Sequence, residues 1–337
     1  MKNDIQKTIH YTTNAVDICK NLLEDIPKDA YLVEPFVGKG DLVKIFPSSN
    51  WEIYDVDNQL VLPNLIHQNT LIDIPDYSGK WVITNPPFLA KNKAQDKTLF
   101  EKHKLDDLYK IAMKTIIGCE GGLLIIPINF FTDENSRNIR NLFLSQYKIV
   151  HINFFLMPVF ETTTYSVCAF TFVKEENECQ DLIGENISLE NREKVQYTIS
   201  KKYDYRLGGE FFQKINETKT IFDRLTEKTP SSYFITNMNL IAMDTRKVPI
   251  HIELDSNHFM GKPTDRTKLT FTSKIEIPIE KQEELVEKFN NTLSKVRKKY
   301  HNMLFTNYRD FNRKRIGFDF AYKLLTYLYQ EKDIDEK

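Results

Sequence analysis

The first half of this 337-residue sequence predicts an α/β fold with a doubly wound, parallel sheet. Short apolar segments alternate along the chain with segments whose apolar residues recur at helical spacing. The apolar segments show no polar face, as expected for strands that helices cover on both sides of a parallel sheet. A glycine turn follows the first predicted strand, where doubly wound folds bind nucleotide-like ligands.

The elements follow in order along the chain. The spacing predicts helices at residues 13–23, 41–46, 106–117 and 135–145, and strands at residues 31–34, 51–56, 81–84, 123–126, 149–155 and 167–173. After residue 174, acidic residues cluster and indicate a linker or a surface excursion. We therefore expect two parts, a first domain at residues 1–180 and a second region at residues 181–337 that lacks a clear strand–helix alternation.

Composition excludes several classes of protein. The formal net charge is -1, from 46 basic and 47 acidic side chains, so any surface for a polyanion must be local. The four cysteines form no C-x-x-C pair, which argues against a zinc or dithiol site. The N-terminus lacks an apolar signal region, and the apolar runs are too short to span a bilayer. We expect no membrane partner and a cytoplasmic location, or the host-cell interior if the protein is viral.

The glycine turn is the first candidate site. Gly38 and Gly40 let the chain turn tightly and approach a ligand closely between strand and helix. The pattern is not G-x-G-x-x-G, and Glu34 would repel a pyrophosphate. A cofactor with an ammonium group and no phosphate fits better, although an ordinary strand-to-helix turn would look the same.

An acidic residue ends the next predicted strand. Asp55 follows the glycine turn at the distance at which a carboxylate accepts hydrogen bonds from both hydroxyls of a ribose. Acids at strand ends are common, and a solvated turn or helix cap is the alternative. The order of the two features favours the ribose.

The strongest signal is Asn85-Pro86-Pro87-Phe88, directly after an apolar strand. Two prolines fix a rigid, extended turn. The Asn85 side-chain oxygen and the Pro86 carbonyl could each accept one hydrogen of an adenine N6 amine and aim its lone pair at a methyl donor. Phe88 would stack on the base. An ordinary loop opened by Asn-Pro is the alternative.

These motifs resemble, over residues 8–175, the gamma class of DNA amino-methyltransferases, whose adenine-type catalytic loop is N-P-P-Y or N-P-P-F. Phe160 matches a position whose ring contacts the flipped base, although an aromatic residue of the hydrophobic core would give the same sequence pattern. Where the family usually has an acid near the cofactor's adenine, this chain has Asn69. The resemblance implies S-adenosyl-L-methionine as cofactor, bound by Tyr11, Thr12, Glu34, Phe36, Gly38, Gly40, Asp55, Asn69 and Asn85.

The resemblance also implies a function. It predicts a Rossmann-like methyltransferase sheet and a C-terminal target-recognition domain, methylating a flipped adenine in double-stranded DNA. The expected setting is a type II restriction-modification system, with a cognate restriction endonuclease acting separately on the same site. The lysine-rich residues 91–97 resemble those of enzymes that recognise CATG.

Other readings stay open. Enzymes that methylate RNA guanine N2 or protein glutamine use similar loops, although protein-modifying enzymes usually carry their extra domain before the cofactor motifs. N4-cytosine enzymes usually have serine in place of Asn85. A DNA-binding module on an inactive methyltransferase scaffold is the non-enzymatic reading, against which the intact Gly38, Asp55 and Asn85 speak.

A basic run near the C-terminus predicts contact with DNA phosphates. Residues 295–315 contain eight lysines and arginines, one acid and interleaved aromatic residues. We assign DNA contact to Arg313, Lys314 and Arg315. A solvated amphipathic helix at residues 281–300 is the alternative. Polar residues at 257–266 could read base edges.

Overall fold

The computed structural model describes residues 14–46, 50–160, 166–307 and 313–331. Tyr11 and Thr12, two of the residues assigned to the cofactor, lie outside the described residues. The chain divides into two compact units, Met1–Leu207 and Gly208–Lys337.

Within the described residues, the first unit is built on one nine-stranded sheet, ordered β3-β2-β1-β4-β5-β7-β6-β8-β9. Its strands are β1 Leu32–Glu34, β2 Trp51–Asp55, β3 Leu65–His67, β4 Trp81–Thr84, β5 Gly121–Pro127, β6 Tyr147–Phe155, β7 Val167–Lys174, β8 Cys179–Ile187 and β9 Arg192–Ser200. The α/β class and the doubly wound order are confirmed, because the chain moves outward from β1 to β3 and then crosses back to β4.

Helices connect the strands of the first unit. They are α1 Ala15–Cys19, α2 Asp41–Ile45, α3 Thr98–His103, α4 Leu108–Thr115, α5 Asn129–Thr132 and α6 Arg137–Leu144, with short 3-10 turns at Leu23–Asp25, Glu134–Ser136 and Lys201–Tyr203. Strand β5 is buried along its whole length, which explains its continuous apolar sequence.

The sheet is mixed rather than wholly parallel. Strands β1 to β5 pair in parallel with their neighbours, but β7 runs antiparallel between β5 and β6. A strand inserted in the opposite direction is as buried as a parallel one. Apolar content alone therefore could not reveal its direction.

The segment expected to be a linker instead continues the sheet. Strands β8 and β9 form an antiparallel hairpin, and β8 pairs in parallel with β6. Along most of β8, buried and exposed residues alternate, so its solvent-facing acids made the segment look like a surface excursion. For this reason the division between the units falls at Leu207 and Gly208, beyond the boundary expected at residue 180.

The described part of the second unit contains a four-stranded antiparallel sheet, ordered β10-β13-β11-β12, and a two-stranded pairing of β14 with β15. Helix α8 packs the face Gln282, Leu285, Phe289 and Leu293 into the core of this unit. The unit comprises α7 Gly209–Asn216, β10 Phe222–Arg224, β11 Phe234–Ile241, β12 His251–Leu254, β13 Lys268–Ser273, α8 Ile279–Lys299, β14 Thr306–Asn307, β15 Lys314–Arg315 and α9 Phe318–Gln330.

Candidate active site

A pocket opens where the strand order reverses. Strand β1 lies between β2 and β4, and all three run parallel, so their carboxyl ends meet at one edge of the sheet. Ligands of doubly wound folds bind at this kind of crevice. Seven of the residues assigned from the sequence line this pocket: Glu34, Phe36, Gly38, Asp55, Asn69, Asn85 and Pro86.

Glu34 is the last residue of β1 and lines the pocket, with only 1% of its surface exposed. Its carboxylate accepts the Phe36 N–H at 3.1 Å. Burial raises the pKa of Glu34 to about 8, although the nearby Thr84 hydroxyl and the Phe36 N–H lower it; the nearby Asp55 raises it further. A buried carboxyl with so few donors is suited to receive a cation.

The glycine turn has the backbone conformation that requires glycine. Gly38 and Gly40 have φ values of 51° and 74°, in the left-handed region. The Gly40 N–H donates to Val37 O at 2.9 Å, and the Val37 N–H donates to Tyr54 O at 2.9 Å. Gly38 lines the pocket, whereas Gly40 caps α2 and does not.

Asp55 holds this turn as well as facing the pocket. One carboxylate oxygen accepts the Gly38 N–H at 2.9 Å, and the other accepts the Asp57 N–H at 2.8 Å. Burial raises the pKa of Asp55 although these N–H groups oppose the rise. Each carboxylate oxygen has a second lone pair, so the group can still accept hydrogen bonds from a ligand.

The wall beyond β3 was only partly foreseen. Asn69 lines the pocket, but its side-chain oxygen accepts the Leu71 N–H at 3.1 Å and so shapes the turn itself. Thr70, which no sequence signal marked, lines the pocket and donates its hydroxyl to Pro35 O at 3.1 Å. Gln68, equally unmarked, also lines it.

The Asn85-Pro86-Pro87 segment forms another part of the pocket wall. Thr84, the last residue of β4, pairs with Leu124 of β5, so Asn85 begins at the carboxyl edge of the sheet. The two prolines that follow are buried and line the same pocket. A single apolar cluster, including Leu71, Leu89 and Leu108 with Phe36 packed against it, joins the turns around the pocket.

The two aromatic residues assigned to the target base meet each other outside the lining of that pocket. The rings of Phe88 and Phe160 are 6.4 Å apart, edge to face, and each residue is 5% exposed. Phe88 also contacts the ring of Tyr109 at 6.2 Å. Tyr109 was not marked as a site residue, because a tyrosine on an apolar helix face usually belongs to the core.

In the second unit, the three basic residues assigned to DNA do not share one surface. Lys314 is 3% exposed, and burial lowers its pKa to about 8. Arg313 lines one groove, and Arg315 lines another with Arg224 and Arg266. Alternation along β15 places Lys314 and Arg315 on opposite faces, so Lys314 is buried while Arg315 is not, which the sequence run alone could not show.

The groove at Arg313 is strongly basic. Its one acid, Asp244, is held by Arg297 through two bonds of 2.8 and 2.9 Å. The turn that carries two of the basic side chains is closed by a bond from the Thr245 N–H to Val248 O at 2.8 Å. The lining is Asp244, Thr245, Arg246, Lys247, Val248, Pro249, Arg297 and Arg313.

In the part of the chain that the structure describes, three or more histidines, cysteines or acids nowhere gather as metal ligands would. Each helix in that part is too short or too polar to cross a membrane.

A scan against protein-family models finds no match to this sequence, and a search of curated proteins finds none. Among solved structures, the chain is similar to a type I restriction-modification methyltransferase subunit from Streptococcus thermophilus, with 12% identity, a TM-score of 0.44 and coverage of 59% of each chain.

Two other solved structures are similar to the chain. The type IIG restriction endonuclease BpuSI shares 12% identity at a TM-score of 0.45, over 67% of this chain and 38% of that protein. The type IIL restriction-modification enzyme MmeI, in complex with DNA, shares 12% identity at a TM-score of 0.40, over 73% and 43%. The chain therefore spans 38–59% of these three proteins, and its chemistry has to be inferred from its own residues.

Proposed function

We propose that this protein is a site-specific DNA methyltransferase that transfers a methyl group from S-adenosyl-L-methionine to the N6 amine of an adenine flipped out of duplex DNA. The observation that carries the proposal is the position of Asn85-Pro86-Pro87 in the wall of an acidic pocket at the carboxyl edge of the sheet. We place the enzyme in the cytoplasm, as the modification enzyme of a restriction-modification system whose endonuclease acts separately.

The chemistry of the pocket lining suits that cofactor. Three acids, Glu34, Asp41 and Asp55, and one lysine, Lys39, line the pocket, so a phosphate-bearing ligand would meet net negative charge. Glu34 would receive the ammonium group and Asp55 the ribose hydroxyls. The bound cofactor supplies an electrophilic methyl group on a sulfonium.

The catalytic loop supplies hydrogen-bond acceptors rather than a strong base. The adenine amine is a poor nucleophile because its lone pair is delocalised into the ring. The Asn85 side-chain oxygen and the Pro86 carbonyl would each accept one amine hydrogen, which draws the nitrogen toward tetrahedral geometry. The rigid prolines keep both acceptors in place, so little reorganisation is required at the moment of transfer.

Phe88 and Phe160 are the rings proposed to stack on the base. Both are buried against each other in this structure, so we expect the Phe88 ring to turn out of that contact when a base enters. Extrusion of the base is required because the amine is otherwise hidden in a stacked pair.

The decisive test of the reaction offers labelled cofactor to the protein with duplex DNA, single-stranded DNA, RNA and protein in parallel. We expect label in duplex DNA, recovered as N6-methyladenine after digestion to nucleosides. Label in RNA or in protein glutamine would establish one of the other acceptors. Label in N4-methylcytosine would disprove adenine as the target.

A prediction concerns Asp55. Asp55→Ala removes a charged acceptor from the pocket and from the Gly38 and Asp57 N–H groups, so we expect cofactor affinity to fall about 10- to 100-fold. Calorimetry measures the affinity, and thermal melting checks that the fold survives. Asp57→Ala is the matched control, because Asp57 carries the same charge two residues away and does not line the pocket. Equal affinities of Asp55→Ala and the unsubstituted protein would remove Asp55 from the site.

A second prediction concerns the basic groove of the second unit, which we propose as the DNA-contacting part of a target-recognition region. Replacing Arg246, Lys247 and Arg313 together by alanine should weaken DNA binding at least tenfold. The slope of log affinity against log salt should become shallower by roughly 2–3, the value for three lost phosphate contacts. Fluorescence anisotropy across a salt series measures both quantities.

The control for the groove is a triple alanine variant of Lys214, Lys219 and Lys228, which are exposed, belong to the same unit and lie outside both the lining and the basic run at residues 295–315. It makes the same change in net charge. If both triple variants change the salt slope equally, the groove has no special role. Lys314 is left unsubstituted because its burial would make any loss of binding ambiguous.

A further inference from the structure

The chain just after the catalytic loop is joined by its main chain to the start of α4. The Leu108 N–H donates to Leu89 O at 3.1 Å, and the Lys91 N–H donates to Asp106 O at 2.8 Å. Ala90 and Asp107 form an antiparallel bridge between the two segments. The N-terminal end of α4 is therefore the support on which the downstream half of the loop lies.

The side chain of Asp107 adds to this support by binding the main chain just after the two prolines. Pro86 and Pro87 have no N–H, so neither can be held by a donated hydrogen bond. Two residues beyond them, the Leu89 N–H donates to the Asp107 carboxylate at 3.0 Å. On the upstream side the loop is held by the pairing of Thr84 with Leu124. The loop is therefore held at its upstream end by β4 and at its downstream end by Asp107.

The surroundings of Asp107 strengthen this bond. Burial raises the pKa of Asp107 to about 6, opposed by the nearby Lys110 ammonium and by the N–H groups of Tyr109 and Leu89, while Asp106 raises it slightly. The carboxyl is therefore mainly ionised at neutral pH, and an ionised acceptor makes a stronger hydrogen bond than a neutral one. Leu89 itself packs into the apolar cluster together with Leu108.

We infer that Asp107 is a positioning residue that sets the place of the Asn85-Pro86-Pro87-Phe88 loop through its bond to the Leu89 N–H. This inference rests on the proposed function, since it assigns Asp107 to the methyl-transfer step. Asp107 is outside the pocket lining, so it acts through the loop and not on the cofactor. Tyr109, two residues further on, contacts the Phe88 ring, so the same segment also supports the aromatic part of the loop.

Asp107 directly precedes α4 in an extended conformation, φ −147° and ψ 148°, the place of a helix cap, although its side chain makes no capping hydrogen bond to that helix. A capping role would affect only stability, whereas a positioning role affects the loop, and three substitutions separate the two roles. Asp107→Asn has an oxygen that can reach the Leu89 N–H. Asp107→Ser is a residue type that caps helices well, but its side chain is one atom shorter, so it loses the bond to Leu89. Asp107→Ala can neither cap the helix nor bind the Leu89 N–H.

The experiment compares single-turnover methyl transfer, cofactor affinity and amide hydrogen exchange of residues 85–91 in these variants. We expect Asp107→Ser to transfer methyl about 10- to 100-fold more slowly than the unsubstituted protein, because small displacements of a catalytic group are costly. Its cofactor dissociation constant should stay within about threefold, and residues 85–91 should exchange faster. Asp107→Asn should restore both rate and protection to within about threefold. These ranges follow from the loss of one charge-assisted hydrogen bond.

Asp106→Asn is the control, because it loses the neighbouring ion pair with Lys110, at 2.7 Å, but keeps the main-chain carbonyl that receives the Lys91 N–H. We expect its transfer rate and exchange to be unchanged. The inference is wrong if Asp107→Ser matches the unsubstituted protein in rate and in exchange, or if Asp107→Ser and Asp107→Ala both unfold while Asp107→Asn does not. Should the protein methylate no nucleic acid at all, the proposed function fails, and the exchange measurement still decides whether Asp107 holds the loop.

Discussion

Asn85→Ala is expected to reduce the single-turnover rate of adenine methylation by about 10²-fold or more, the cost of losing one preorganised hydrogen-bond partner of a transition state. The effect falls on the rate, because the bond to Asn85 strengthens as the amine becomes positive during transfer. The dissociation constants of cofactor and DNA should change much less. Rapid-quench measurement with saturating cofactor and a duplex carrying one target site gives the rate directly.

Two further variants test whether the loss of rate is specific to the side-chain oxygen of Asn85. Asn85→Asp keeps an oxygen acceptor in the same place and should retain more activity than Asn85→Ala. Asn69→Ala removes an amide from the opposite side of the same pocket, and it should weaken cofactor binding without a comparable loss of rate at saturation. Wild-type single-turnover rates for Asn85→Ala would disprove the mechanism proposed for the loop.

Glu34→Gln is expected to weaken cofactor binding by about 100-fold at pH 8, because it leaves a buried ammonium group without its counter-charge. The pH dependence is the more specific signature. The pKa of Glu34 is raised to about 8 by burial, so without ligand the carboxyl is mostly protonated at pH 7 and has to lose that proton to receive a cation. Cofactor affinity should therefore decrease, by up to roughly tenfold per pH unit, as pH falls below 8.

Calorimetry between pH 6 and pH 9, repeated in buffers of different ionisation enthalpy, should detect proton release on binding below pH 8. Above about pH 8 the affinity should fall again, as the amino group of the ligand, with a pKa of roughly 8, loses its charge. Glu34→Gln should show no proton release and no decrease below pH 8. A wild-type affinity that is constant from pH 6 to pH 8 would mean that Glu34 does not hold the ammonium group.

The raised pKa of Glu34 also makes the stability of the folded protein depend on pH. The carboxyl has a pKa near 4.3 when unfolded and a raised pKa when folded, so the folded state holds the proton over the interval between them. Its contribution to stability is present below pH 4 and is lost as pH rises through 8. Over that interval the melting temperature of the unsubstituted protein should fall relative to that of Glu34→Gln, which has no proton to lose.

Short-range patterns let the sequence predict most of the site's components. Strand ends followed by glycine, acid or Asn-Pro-Pro marked Gly38, Asp55 and Asn85, and the structure places all three around one pocket. These residues lie close together because the carboxyl ends of parallel strands converge whenever those strands neighbour one another. Residues without such a local signature, such as Thr70 and Thr84, stayed unmarked. Their roles depend on Pro35 and Glu34, which are distant in sequence.

By itself the sequence determined the strands β1, β2, β4, β5, β6 and β7 in their order, and the residues that follow the central strands, since periodicity and turn chemistry are local properties. It did not reveal β3 or the short helices α3 and α5. Only the tertiary structure decided the direction of β7, the addition of β8 and β9 to the sheet, the burial of Lys314 and the contact of Asp107 with Leu89. The physical reason is the same in each case. Strand pairing, burial and a hydrogen bond across 18 residues depend on which distant segments come together. Composition and local spacing do not reveal which segments these are.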